Sequence, residues 1–431
     1  MTLRAGTTRR TGLAPGWTVD VRRDEQALID LEDEWQDLYA RSPVATPFQT
    51  HAWVSSWWAA YGTPGRLRLF LVRDRGRLVA AAPLMLTRHW GRRVLMPLAA
   101  PQSDFTDILL DPVSRDDTPA DGADTADGGD TADGGDTTDG RDGTGDADDA
   151  DGGDTTGADP GAVTGLDAGP MAEGALPQLV RALLAERGWT ALDFPEVRPG
   201  SAAHALLAQW PRQRWRLPAS TCLDLPAGDL DGFLGRLPGR SAGKVRAKLR
   251  RIDARELAIA PVPPERAARA ITALLDLHAE QWRGRPINPE HIRRRFRRHL
   301  TGAVTAMIED GQAEIVEYRL GDRLVASDLV LIGHGFVGAY LYGSTPALRE
   351  SVDVSLLLLR DILDTSSRRG LPEVSLLRGD EAYKMKWRPI PVTSDRLILG
   401  RSAAAGLYAG VARNRARLAA ARRVRLDLEE R

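Results

Sequence analysis

The sequence predicts an α+β fold in which one unit, helix, antiparallel hairpin, helix and strand, occurs twice, each copy a mixed sheet flanked by helices. Three observations carry this. Residues 67–86 (LRLFLVRDRGRLVAAAPLML) and 313–331 (AEIVEYRLGDRLVASDLVL) each read as two apolar runs around a polar turn. Both second strands begin Arg-Leu-Val-Ala, at Arg77–Ala80 and at Arg323–Ala326. A Trp-bearing helical stretch precedes each hairpin, and an apolar helix, a glycine and a strand follow it.

Taken in order, residues 1–16 read as a disordered N-terminus and the first domain spans 17–218. Its leading helix is FQTHAWVSSWWAAYG (48–62), with Trp53, Trp57 and Trp58 as core anchors. The turn Asp74-Arg75-Gly76 closes its hairpin; LPQLVRALLAERG and WTALDFPEV supply the later helix and strand. Residues 116–168 interrupt this domain as a disordered Asp/Gly/Thr-rich insert. Within 116–160 there are 16 Asp, no Glu and one base, Arg141. Such a stretch buries nothing that offsets its ordering entropy, and it lacks the apolar residue per turn that a calcium-binding β-roll needs. The second domain spans 219–400, with ALLDLHAEQWRGR, the second hairpin turning at Gly321-Asp322, then VSLLLLRDILDTSSRRG and LPEVSLL. Residues 401–431, rich in Ala and Arg, form a basic helical tail that either packs or is solvated, or meets a membrane surface or a partner.

Charge follows the same division. The whole chain carries 58 Lys plus Arg against 59 Asp plus Glu. Residues 116–160 hold −15 of that balance and the remainder +14. One cysteine, Cys222, excludes a disulfide framework and a cysteine-based zinc site, and seven His without HExxH argue against a metalloprotease, so no metal is expected. The N-terminus lacks the apolar core of a signal peptide, and no apolar run approaches about 18 residues, so a cytoplasmic protein is expected.

PFQTHAWVSSWWAAYG, RLVAAAPLML and APQSDFTDILLDP, with the closing LPEVSLLRGDEAYKMKW, resemble CelD-like acetyltransferases associated with cellulose and exopolysaccharide biosynthesis. That family belongs to the GNAT superfamily and is related to FemAB-type transferases, which carry two GNAT-like domains in tandem. The resemblance implies acyl transfer from acetyl-CoA or another acyl-CoA to an amine or hydroxyl of a cell-envelope glycan or its precursor. Two alternatives stand beside it: a FemAB-type aminoacyl transferase using charged tRNA, and a degenerate GNAT fold that only binds.

The chemistry needs an anion site, an acceptor base and an acid for the leaving thiolate. GNAT enzymes hold the pyrophosphate on a Gly-rich turn at a helix N-terminus. The corresponding YLYGSTPALRESVDVSLLLL has no glycine between Gly343 and Gly370, and Glu350 and Asp353 are acidic. Arg349 and Ser351 either contact phosphate there, or Ser351 or Asp353 caps the helix. The run from Arg236 to Arg251, which includes Lys244 and Lys248, is either a second anion site or a solvated basic helix. After the strand ending at Leu377, Asp380 or Glu381 is the candidate base and Tyr383 the candidate acid. Arg378, Lys384, Asp104, Asp107 and Trp282 are the candidate acceptor contacts; Lys384 alternatively pins the turn through the carboxylates. His278 reads as a structural histidine and Cys222 as inert.

Overall fold

The computed structural model describes residues 16–112, 174–284, 287–379 and 381–429, with side chains for all of them except 382 and 419–429. The acidic insert at 116–168 and the N-terminal 15 residues lie outside the described residues.

β1 (Trp17–Arg22) leads into α1 (Gln26–Asp30), α2 (Glu32–Ala40) and α3 (His51–Tyr61). β2 (Leu67–Asp74), β3 (Arg77–His89) and β4 (Arg92–Pro97) form an antiparallel meander, with β5 (Leu109–Leu110) beside β3. Arg75 and Gly76 both take positive φ in the first turn, the mirror-image geometry that matches strand twist. α4 (Ala175–Ala185) crosses to β6 (Ala191–Val197), which lies parallel to β4, and α5 (Ala202–Ala208) follows.

The second copy repeats this order. β7 (Arg214–Pro226), α6 (Leu230–Arg236) and α7 (Gly239–Asp253) connect to β8 (Ala258–Pro261), α8 (Ala267–Gln281) and α9 (Arg294–Glu309). The meander is β9 (Ala313–Leu320), β10 (Arg323–Ile332) and β11 (Phe336–Ser344). α10 (Pro346–Ser351) and α11 (Val354–Arg368) then cross to β12 (Glu373–Arg378), parallel to β11. α12 (Ala382–Met385), β13 (Ile390–Gly400) and α13 (Ala404–Glu429) follow.

All the main strands join one sheet, in the order β1-β2-β3-β4-β6-β13-β7-β12-β11-β10-β9-β8. The halves exchange their last strands. β7 follows the first copy in sequence but pairs with β12 of the second, and β13 follows the second copy but pairs with β6 of the first. β7 and β13 also pair with each other from Arg214–Leu399 to Asp224–Ile390. The division expected after Pro218 therefore falls inside β7, and Ile390–Gly400 completes the first half's sheet. The halves share one sheet instead of standing as separate domains.

Alternation along β10 shows what each face buries. Leu329 and Leu331 join the core of α3, α8 and α9, while Ala326, Val330 and Ile332 join that of α6, α7 and α11. The tail helix α13 docks by Ala405, Tyr408, Ala409 and Ala412. Tyr408 donates its hydroxyl to buried Asp193, which also accepts from Arg396 Nε at 2.9 Å.

Candidate active site

β11 and β12 pair only from Phe336–Glu373 to Gly338–Ser375. Past that point β11 bulges at Tyr340, between Leu341 opposite Leu329 and Ala339 opposite Val330. β12 shifts register between Ser375 and Arg378 and holds Leu377 at φ 55°. The strands part, and a cavity of 870 Å³ fills the gap. On one face of the sheet it is lined by Leu358, Leu359 and Ile362 of α11; on the other by His278 and Trp282 at the end of α8 and by Phe296 of α9. Two molecules entering from opposite layers would meet at the split.

The first half closes its own equivalent. β4 and β6 pair at Val94–Ala191 and Leu95–Leu192, and the following segment then turns into the gap. Thr106 N–H donates to the Glu196 carbonyl at 2.6 Å, and Phe105 and Ile108 are each 1% exposed. Asp107 accepts from Ala202 N–H at 3.0 Å and Ala203 N–H at 2.7 Å at the start of α5, and from Ile108 N–H at 2.8 Å. Expected as a cleft residue, Asp107 is instead a buried cap with no surface on the cavity.

The turn after β12 supplies polar residues to the cavity wall. Asp380 lies outside the described residues. Glu381 and Tyr383 both line the cavity. Tyr383 sits edge-on to Trp387, ring centres 5.6 Å apart, and burial raises its phenol so that it stays protonated. Lys384, 6% exposed, donates to the Leu376 carbonyl at 3.0 Å and the Arg378 carbonyl at 3.2 Å, and pairs with Glu381 at 2.8 Å. Its three donors are spent, so Lys384 pins the turn and holds Glu381 instead of reaching for acceptor. Arg378 pairs with Asp104, donates to the Ser103 carbonyl at 3.1 Å and faces Glu196 at 3.7 Å. Arg378 and Asp104 thus tie the halves together on the cavity wall, and Trp282 lines it too.

The proposed donor-phosphate residues divide. Arg349 lines this cavity and an adjoining one of 460 Å³, which Lys248, Arg251 and Ser351 also line. The Ser351 hydroxyl donates to the Leu348 carbonyl at 2.9 Å. Asp353 is the helix cap: it accepts from Leu356 N–H at 3.3 Å and the Ser355 hydroxyl at 2.7 Å, and pairs with Lys248 at 2.7 Å. The start of α11 therefore carries a carboxylate where a diphosphate would lie, so any anion there is held by side chains. Lys244 is exposed on α7 and reaches neither cavity.

A histidine pair lies on the α8–α9 wall of the cavity. His278 Nδ1 lies 2.7 Å from the Tyr342 carbonyl, an acceptor, so Nδ1 carries the proton and Nε2 is free to accept. His291 Nδ1, 3.2 Å from that Nε2, is then the donor, and the Asn288 amide donates to His291 Nε2 at 3.3 Å. Burial lowers both rings, His291 to about 4. His278 was expected to be structural, and His291, in a basic run, gave no separate signal. Asn288-x-x-His291 preceding a helix is the only local hint. Cys222 is buried and its thiol raised by burial, in keeping with an inert side chain.

These histidines make stability pH-dependent. His299, whose ring packs 4.6 Å from Trp53 with both nitrogens unpartnered, is lowered by burial to about 3. Unfolding frees His291 and His299 to protonate near 6.5, so their contribution is full above that value and is lost as pH falls toward 4 and 3. Each then costs about 1.4 kcal/mol per pH unit. Melting temperature should fall steadily between pH 6.5 and 4, and His299→Phe should flatten the fall; an unchanged slope contradicts this.

The sheet's parallel pair thus splays over a cavity whose wall carries the Tyr383 phenol and the His278 and His291 imidazoles. Residues 240–385 match the acetyltransferase (GNAT) domain family, and the chain is an acyltransferase. Among solved structures, a conserved protein of unknown function from Bacteroides thetaiotaomicron aligns at TM-score 0.50 and 12% identity, over 89% of this chain and 100% of its own. FemX aligns at TM-score 0.50 and 11% identity, over 85% and 95%. L-PGS from Bacillus licheniformis aligns at 0.47 and 10%, over 88% and 93%. At such identities the likeness is one of fold. The curated proteins give no match.

Proposed function

We propose that the protein transfers an acyl group from an acyl-CoA, bound on the α11 face, to a hydroxyl or amine of a cell-envelope or exopolysaccharide glycan, or its precursor, bound on the α8–α9 face. The observation that carries this is the single cavity lined from both faces of the sheet at the split. Trp282 on the acceptor side offers the kind of aromatic face that stacks on sugars. The CelD-like segments noted in the sequence support the glycan, and FemX, as a fold relative, is consistent with a transferase of this two-half design.

Proton traffic follows the two faces. His291 Nε2 exchanges the Asn288 amide for the acceptor's O–H or N–H and takes its proton; His278 positions the ring by accepting from His291 Nδ1. The acceptor oxygen or nitrogen attacks the thioester carbonyl, the C–S bond breaks, and Tyr383 protonates the departing thiolate. Glu381, held by Lys384, is the alternative base. His291→Gln should reduce acyl transfer by about 100-fold and Tyr383→Phe by about 10-fold or more, both with donor affinity retained. Full turnover in His291→Gln would pass the base role to Glu381.

A second reading, transfer from a charged tRNA, is favoured by Asp353 at the start of α11 and by the exposed bases along α7. Calorimetry with acetyl-CoA decides between them. Micromolar binding supports the first reading; no thioester binding, with RNA binding that weakens steeply with salt, supports the second.

A further inference from the structure

The inner end of the cavity contains a carboxyl that neither acyl transfer nor the fold uses. Asp328 sits on β10, on the face shared with Ala326 and Val330, opposite Tyr342 of β11. It is 5% exposed and lines the cavity beside Leu358, Leu359 and Ile362. The Leu329 backbone N–H favours its ionised form. The titratable groups around it are Asp361 of α11, Tyr318 of β9 and Tyr383, while Arg360, the nearby base, pairs with Asp361 at 3.5 Å and Asp253 at 2.8 Å. Among the described residues no cation faces Asp328.

A buried carboxylate without a cation is costly, so the group stays protonated until a cation reaches it. We propose that this inner pocket receives an acyl group bearing a protonated amine, with the Asp328 carboxylate as its counter-charge and the α11 leucines around its methylenes. The proposal rests on the acyl-transfer reading and names the acyl class within it. Burial, with Asp361 adding to it, pushes the carboxyl up to about 8, so an incoming ammonium would ionise it and pair with it. An acetyl group would leave the carboxyl unpaired.

The test compares β-alanyl-CoA with butyryl-CoA, which differ by an ammonium in place of a terminal methyl, in calorimetry on the full chain. The wild type should bind β-alanyl-CoA about 10-fold more tightly, a preference of the size a charged hydrogen bond supplies. Asp328→Asn should lose that preference and keep butyryl-CoA binding, which also reports that the variant is folded; Asp328→Leu replaces it if the Asn variant fails to fold. Equal affinities in the wild type, or a preference that survives both substitutions, overturn the proposal and leave acyl-CoA use standing. If neither thioester binds, the CoA reading fails, and the pocket is read without a carrier by thermal shift with n-butylammonium and n-butanol. Stabilisation by the amine alone, lost in Asp328→Asn, supports the amine site on another carrier; no difference overturns it.

Discussion

Replacing Ala339 with tryptophan is expected to reduce kcat/KM for acyl transfer by about 100-fold or more, the cost of displacing a reactant from its attack geometry. Ala339 is half-buried on β11, paired with Val330 across from the bulge, and lines the cavity where β11 leaves β12. An indole there occupies the space in which the donor crosses the sheet. Overpacking adds a stability loss of about 1–3 kcal/mol, which a melting curve separates from the loss of turnover. Met96→Trp on β4, the equivalent strand of the first half, half-buried against the α13 core and away from the cavity, should leave kcat/KM within about two-fold, whatever it costs in stability. Loss of activity in the second variant but not the first would place the chemistry in the wrong half.

Gly343→Ala is expected to destabilise the protein by about 3 kcal/mol or more, at the upper end of overpacking effects. A Cβ at Gly343 would lie 2.4 Å from the His278 backbone nitrogen and 2.7 Å from the Leu277 carbonyl carbon. These are backbone atoms of α8, so no rotamer change relieves the clash; the helix must move off β11. That movement also pulls His278 from the Tyr342 carbonyl and, with it, His291. Denaturant unfolding should show the stability loss, and the variant's residual turnover should fall as in His291→Gln. An unperturbed melting curve contradicts the close packing of α8 on β11.

The sequence showed the local parts well. Both hairpins fall where Arg77–Ala80 and Arg323–Ala326 place them, because alternation and turn chemistry act over a few residues. The exchange of β7 and β13 was not visible. It joins Arg214 to Leu399, and nothing within either strand names its partner. The polar turn holding Glu381 and Tyr383 could be read because it is contiguous. Asp107 misled because an aspartate lining a cleft and one capping a helix look alike when the helix begins about 95 residues on, at Ala202. The His278–His291 pair could not be read because it forms only where residue 291 returns onto His278, 13 residues earlier. The absence of glycine after Gly343 was legible, and Asp353 shows its consequence: the helix start is satisfied from within the chain.

The central claim is that one transfer site exists, at the split between β11 and β12, because the first half fills its own gap with Phe105 and Ile108. The stoichiometry and position of a bound non-hydrolysable acyl-CoA, determined by calorimetry and a complex structure, test it most directly. One molecule per chain, with its thioester at the split between Ala339 and Leu376, is the predicted result. A molecule between β4 and β6, or two per chain, would contradict it.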